Sequence, residues 1–494
     1  MAHRDVVVLG GGISGLTLAY FLRQALPKTV ADATRIRVLD ASAVSGGWVH
    51  TAKREGFLFE EGPRGFRPSR NGAEMLRLVE QLELQDQMQA VDPAAHARYI
   101  LRNGKVEKLP TSLLEVLRWP LSLDVARAGL HELFVKRGSM EDESVYNFMA
   151  RRFSPLVAER LLDPLASGIF GGNIRKLSMR ACFSMLVDLE RNHGNHGSVV
   201  KGMLFGGSTG EDTLLDGTSK SDFVKKHEKS VSVSFTDGMS TLMDALANNI
   251  KNDPMADLQL NTKVTRLEIH GHNNSSSKGP SFVVESKNPK TGGIREPIKA
   301  SHVFSTIPAC YLAPVVKDTA PGLAEALNEI KFVDMGMVHV GYNEKVLTTD
   351  GFGYLIPTAE REKVLGVVFD SNTFPVQNAE GKMQTRLSVM SGGAHFREVA
   401  SLPKGELEHN ALDALKRHLG ITHQPDYVRA MTMKNGIPQY HVGFGQTLQR
   451  IEKQAARNAP GLFLGGNSFY GIGLADCVTH SKQLALKYAK TLSS

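Results

Sequence analysis

After Asp5 the chain runs VVVL, a block of apolar, mostly β-branched residues that predicts a strand buried on both faces of a parallel sheet. Glycines follow at 10–12, and then apolar side chains recur at helical spacing, at Leu16, Ala19, Tyr20 and Leu22. A second apolar run, IRVLD (36–40), predicts another strand and ends on an acid. The middle of the chain changes period: TSLLEVLRWPLSLDVARAGLHELF (111–134) and SVYNFMARRFSPLVAERLLDPLASGIF (144–170) predict helices. Residues 205–230 are polar and glycine-rich, the composition of a surface loop or insertion. Strand signals return in LQLNTKVTRLEIH (258–270), with the hairpin-like GHNNSSSKG after it, and in ASHVFSTIP (300–308). Alternation in FVDMGMVHVGY, KVLGVVFDS and RLSVMSGG makes 331–442 β-rich. GLFLGGNSFYGIGLADCVTHSKQLALKYA then predicts a strand, a glycine loop and a long helix, and no internal repeat runs through the chain.

The glycines carry the first chemistry. Gly10, Gly12 and Gly15 form G-x-G-x-x-G between a predicted strand and helix, with Asp40 closing the next strand at the spacing of a dinucleotide fold. The first glycine makes a tight turn, the second admits a pyrophosphate, and the third lets helix pack on strand. Ile13 and Ser14 offer helix N-terminal amides to the phosphates, and Asp40 accepts from the ribose hydroxyls. Taken alone, the motif fits a glycine-rich turn in an ordinary α/β domain, and it does not separate NAD from FAD. The stretch SGGWVHT does: Gly46 and Gly47, a few residues past the ribose acid, match the pair whose backbone lies on the pyrophosphate of FAD in flavoproteins of the glutathione reductase and amine oxidase type. Val44 and Trp48 stand where arginines usually flank that pair. The C-terminal strand, glycines and helix return to the same cofactor, with Gly465 and Gly466 passing beside it and the helix start at 471–476 aimed at the flavin.

Together VVVLGGGISGL, GGW, FEEGPRGFRP, KNGIPQY and GIGLADCV resemble oxygen-dependent protoporphyrinogen oxidases of the eukaryotic mitochondrial type, within the flavin amine oxidase-like superfamily. The resemblance spans nearly the whole chain, with the motifs in the family's order; Asp40 departs from it, since the family more often carries glutamate there. It implies an α/β fold: a discontinuous Rossmann-like FAD domain (1–90, 231–308 and 456–494), a helical membrane-associating domain (91–205), an insertion (206–230) and a β-rich substrate domain (309–455). It implies non-covalent FAD held also by Gly62, Pro63, Arg64, the main chain at Val264, Gly466, Ile472, Gly473 and Leu474. For the substrate it points to Arg98, facing a carboxylate, and to Gly168, Phe170, Phe352, Leu355, Met390 and Ile437. From the residues alone, Leu355, Met390 and Ile437 read as core and Arg98 as a solvated edge charge. Arg64 either sets the Gly-Pro turn beside the flavin or touches substrate. Also implied are molecular oxygen as co-substrate, a homodimer, hand-over of product to ferrochelatase, and peripheral attachment to the outer side of the mitochondrial inner membrane.

Composition adds limits. A chain of 494 residues suits two or three domains, and +7 suits an anionic lipid surface or substrate without a nucleic-acid motif. Cys182, Cys310 and Cys477 are too far apart for a disulfide framework or a metal site, and Cys477 lacks the setting of a covalent flavin link. No apolar run is long enough to span a bilayer, and a strand beginning at Asp5 leaves no room for a cleavable presequence. LLEVLRWPLSL could lie in a membrane interface, although such helices ordinarily pack inward. No Ser/His/Asp group, paired carboxylates or metal cluster stands out, so no catalytic acid or base is assigned. Hydride loss from a methylene bridge between pyrroles needs little of either. The alternatives are oxidation of coproporphyrinogen, a flavin amine oxidase or carotenoid desaturase, and a binding protein like the Rab GDP-dissociation inhibitors.

Overall fold

The run after Asp5 becomes the strand Arg4–Leu9, at the centre of a five-stranded, all-parallel sheet in the order Leu462–Leu464, His302–Ser305, Arg4–Leu9, Thr34–Leu39, Ala256–Gln259. The computed structural model of the chain describes residues 4–110, 115, 119, 121–191, 197–205, 212–270 and 281–493. Alternation along the central strand divides two cores. Val6 and Val8 pack under the helices Ile13–Ala25, Ser240–Asn252 and Leu474–Ser493. Val7 and Leu9 pack under Ala309–Val316, Pro321–Leu327 and Phe444–Asn458. Burial on both faces is why the strand reads as continuous apolar sequence.

A second, seven-stranded sheet runs Tyr427–Gln439, Lys331–Tyr342, Thr385–Gly392, Val364–Phe369, Gly353–Leu355, Arg98–Arg102, Lys105–Lys108. Its neighbours are antiparallel except Gly353–Leu355 with Arg98–Arg102, which pair parallel with Gly353 opposite Arg98 and Leu355 opposite Ile100. Residues 98–108 thus extend the β-rich sheet, although the sequence reading placed them in the helical domain. Two short strands separated by a tight Asn103-Gly104 turn carry no apolar periodicity that announces so distant a partner. Likewise 309–327 and 444–455, read as substrate domain, belong to helices on the nucleotide sheet.

The helical stretch has its own core, around Phe148, Met149, Ala166 and Leu177. In it Arg152, fully buried, donates to the carboxylate of Glu132 and to the carbonyl of Val135. Residues 212–230 depart from a plain surface loop. They carry the helix Asp222–His227 and bury Leu214 and Val224 in the nucleotide-domain core, their apolar positions too sparse to show a period. Most of LLEVLRWPLSL and all of GHNNSSSKG lie outside the described residues.

Candidate active site

One cavity of about 500 Å³ begins at the glycine loop and ends on the seven-stranded sheet. Gly10, Gly12, Ile13, Ser14 and Asp40 line its first end. The helix Ile13–Ala25 starts there without a side-chain cap or an acidic first turn, so the positive end of its dipole stands at the cavity and attracts an anion. Asp40 is held in place by the amide N–H groups of Gly11 (2.5 Å) and Ser42 (2.6 Å) and keeps acceptor capacity toward the cavity.

The glycines separate into two kinds. A Cβ on Gly15 would lie 1.8 Å from the carbonyl oxygen of Gly10, so this glycine is required by helix–strand packing. A Cβ on Gly12 would meet protein only at ordinary distance, 3.7 Å from Gly47 Cα, and its φ of −77° suits any residue. Its missing side chain leaves room in the cavity, the mark of a ligand rather than of the fold. Gly46 and Gly47 complete the cradle. The N–H of Gly46 donates to the carbonyl of Gly11 at 2.8 Å, and both residues have positive φ (111° and 61°). A Cβ on Gly62 would strike the Trp48 carbonyl at 1.7 Å, which locks Gly62-Pro63-Arg64 against the same loop. An uncapped helix start, an acid at the end of the second strand and a side-chain-free wall fit the FAD that the sequence implies.

Arg64 lines the middle of the cavity, where its Nε donates to Asp370 at 3.1 Å. Asp370 also accepts from the Ser388 hydroxyl at 2.6 Å, and Ser388 Oγ lies 3.1 Å from Nδ1 of His339. Since the serine proton is committed to Asp370, Nδ1 of His339 is the donor in that contact. Burial holds His339 down to about 4, so it is neutral, stacked on Phe59. Beside this chain Glu60, buried and accepting from Met239 N–H and Thr51 Oγ1–H, is pushed up by burial to about 7. One Arg64 nitrogen, Nη2, is buried without a protein partner.

The far end is apolar. Met335, Met337, Met390, Met433 and Ile437 line it, with Gly168 and Ile169 from the helix Asp163–Phe170. Strand register explains the methionines: Met337 sits opposite both Met390 and Met431, and Met335 opposite Met433. Thioethers are soft and unbranched, suited to a large flat ligand. The charged residues of the described lining are Asp40 and Arg64, and no lysine is among them. Among the described residues no group of side chains could hold a metal ion. Burial pushes the Cys477 thiol, which borders the cavity, up to about 11, so it is no nucleophile.

Of the residues the sequence singled out, Gly10, Gly12, Ile13, Ser14, Asp40, Gly46, Gly47, Trp48, Gly62, Pro63, Arg64, Ile472 and Leu474 line the cavity with Gly168, Met390 and Ile437. Gly15, Gly466 and Gly473 back the wall without lining it, and Gly466 would strike Thr306 if it bore a Cβ. Val264 also stands off the wall, near the ribose end, because Asn261 and Thr262 hydrogen-bond to the backbone of Ser42 and Asp40. Leu355, off the wall, presses on Gly168; Phe170 is buried against Phe183; Arg98 stands over the ring of Phe352, its guanidinium 5.4 Å from the ring centre. The sequence reading missed Met335, Met337 and Met433, although DMGM and MTM place methionines at strand period. It also missed Tyr440, whose hydroxyl donates to the Asn467 carbonyl and accepts from Gly471 N–H, fixing the loop that brings Asn467 and Ile472 to the cavity.

The family model for flavin containing amine oxidoreductases matches residues 13–485. The cattle (Bos taurus) protein named protoporphyrinogen oxidase is 33% identical over 505 residues, covering 99% of both chains. The human protein of the same name is 33% identical over 504 residues, again covering 99% of both. A crystal structure described as a putative protoporphyrinogen oxidase from an Exiguobacterium species superposes with a TM-score of 0.79 at 22% identity, over 99% of this chain and 100% of that one, and shares the fold.

Proposed function

We propose that this chain, which belongs to the flavin-containing amine oxidoreductase family and within it to the protoporphyrinogen oxidases, oxidises protoporphyrinogen IX to protoporphyrin IX. The observation that carries the reading is one continuous cavity, with a dinucleotide cradle at one end and a methionine floor without an acid–base pair in its described lining at the other. FAD, when bound there non-covalently, supplies the two-electron acceptor for hydride from a methylene bridge and passes the electrons to molecular oxygen. The chain's own work is placement. The amides of residues 12–14 hold the pyrophosphate, Asp40 orients the ribose, and the 467–474 loop, braced by Tyr440, closes the flavin end. Met335, Met337, Met390, Met433 and Ile437 hold the macrocycle and keep water from it. Three of the four bridges give up hydride, and two pyrrole N–H protons are lost to solvent. The fourth bridge gives up its proton by tautomerisation of the conjugating ring, so no dedicated base on the chain is called for.

Three passes remove six hydrogens, so three O2 become three H2O2 for each substrate. Oxygen uptake in that ratio, with growth of porphyrin fluorescence, is the test. Uptake with an amine and none with any porphyrinogen would transfer the site to the amine-oxidase reading. The absence of a lysine from the described lining speaks against that reading.

We place the protein peripherally on a membrane, in eukaryotes the mitochondrial inner membrane, where a poorly soluble substrate arrives and the product passes on toward ferrochelatase. No described helix is long and apolar enough to cross a bilayer. The helix Ser122–Glu132 and the residues after it instead expose Leu123, Leu130 and Phe134 along one face, beside Arg127, Lys136 and Arg137. Apolar side chains flanked by basic ones suit an anionic interface.

A further inference from the structure

Two guanidinium groups that stand off the cavity wall, those of Arg98 and Arg67, have no acidic partner among the described residues. Arg98 opens its strand opposite Gly353, and paired residues share a face, so it leaves the sheet on the side where Leu355 meets Gly168 of the cavity wall. Phe352, under Arg98, packs with Val91, Ala95 and Phe374. Arg67 reaches the same cluster from the other side. It lies three residues past Arg64, and its neighbour Phe66 exchanges backbone hydrogen bonds with Val233, while Val91 N–H donates to the Ser232 carbonyl. Both arginines are exposed, and neither has an ion pair among the described residues; nearby Arg64 is paired with Asp370. Partial burial first, and then the charge of Arg67, lower the pKa of Arg98, as expected of cations close enough to repel. Neighbouring like charges without an acidic partner among the described residues suit an anionic ligand.

We propose that Arg67 is a second carboxylate-binding residue, so that Arg67 and Arg98 each hold one of the two propionates that the substrate carries on neighbouring pyrroles. This rests on the porphyrinogen reading above. Two anchored carboxylates fix the rotation of the macrocycle over the methionine floor. A fork of parallel donors serves that purpose better than a point charge.

The test compares protoporphyrinogen IX with its dimethyl ester, which has the same ring and no carboxylate, in the flavin-loaded wild type, Arg67→Ala and Arg67→Lys. For the diacid, Arg67→Ala raises KM roughly tenfold with kcat within about twofold, and Arg67→Lys recovers part of the loss. For the ester, wild type and Arg67→Ala coincide, and all three proteins carry equal flavin. An unchanged KM for the diacid, or an equal loss on the ester, overturns the role of Arg67 while leaving the reaction standing. Wild-type enzyme that turns over neither compound overturns the porphyrinogen reading and this inference with it.

Discussion

Replacing Gly12 by valine separates a glycine kept for a ligand from glycines kept for the fold. At Gly12 the backbone is extended (φ −77°, ψ −177°), a conformation valine adopts freely, and the new Cβ meets protein no closer than 3.7 Å. The folded chain then loses only the modest preference for glycine over valine at a helix N-cap, about 1 kcal/mol or less. The ligand loses far more. A branched side chain stands where the pyrophosphate must approach and denies it at least two amide N–H donors. Charge-assisted hydrogen bonds are worth about 1.5–3 kcal/mol each, so the loss of two comes to about 3–6 kcal/mol, or roughly a 150- to 20,000-fold weaker Kd for FAD. Gly15→Ala is the opposite case. Its Cβ would lie 1.8 Å from the Gly10 carbonyl oxygen, inside any contact distance, so helix and strand must separate and the chain itself fails. The assay is FAD titration by flavin fluorescence, with a circular-dichroism melt of each protein without added FAD. Gly12→Val melts near the wild type and does not retain FAD, whereas Gly15→Ala is poorly folded. Gly12→Val with native FAD affinity would refute the placement of the phosphates, and Gly15→Ala with a native melt would refute the packing role.

Glu60 is raised by burial from 4.5 to about 7, so between those values the folded state holds a proton that the unfolded chain releases; its contribution to stability is full below 4.5 and lost as pH rises through 7. His339 works in the opposite sense, lowered by burial from 6.5 to about 4, with its contribution lost as pH falls through that range. Melting temperatures from pH 5 to 7.5 should therefore rise for Glu60→Gln relative to wild type as pH increases, and parallel curves would contradict the raised carboxyl. Lys482, buried and donating to Glu74 (2.8 Å) and Asp216 (2.6 Å), ties the 212–230 segment to the nucleotide domain. Lys482→Ala strands a buried carboxylate at a cost of about 3–5 kcal/mol, seen as a lower melt and faster proteolysis within 212–230. Arg98→Ala should lower kcat/KM on the porphyrinogen by roughly 10- to 150-fold with flavin content unchanged, and a change under about twofold would return Arg98 to a solvated edge charge.

The cofactor end was legible in the sequence because backbone sterics at short range dictate it. Gly10, Gly12, Gly15, Asp40, Gly46, Gly47 and Gly62 fall within one stretch of chain, and several are places where a Cβ would collide or where φ is positive. Such constraints leave a residue type that no other pressure mimics. The substrate end leaves weaker marks. Met335, Met337 and Met433 alternate as any half-buried strand does, and only the pairing of Lys331–Tyr342 with Thr385–Gly392 and Tyr427–Gln439 gathers them on one floor. Arg98 reaches that sheet by pairing with Gly353, a contact between residues more than 250 positions apart, which no local pattern encodes. Tyr440 reads as the end of a strand until its hydroxyl is seen bridging Asn467 and Gly471.

The two ends of the cavity also differ in stiffness, and the proposed reaction accounts for the difference. At the cradle, Gly15, Gly46 and Gly62 sit so close to neighbouring carbonyls that the wall cannot give: a Cβ would come within 1.8, 2.5 and 1.7 Å of one. A rigid cradle suits a cofactor that stays in place through every pass. The substrate changes as it reacts. Each removal of two hydrogens converts a tetrahedral bridge into a planar one, and tautomerisation converts the fourth, so the puckered porphyrinogen flattens by stages into porphyrin. A wall of fixed hydrogen bonds would match one stage and oppose the others. Unbranched methionines, with three rotatable bonds each, can follow the change at small cost. Orientation then has to come from groups that the oxidation leaves alone, and the propionates are such groups. That assigns the floor the task of shape and the arginines the task of register, and it explains how a site with Asp40 and Arg64 as the charged residues of its described lining can still direct a reaction of three steps.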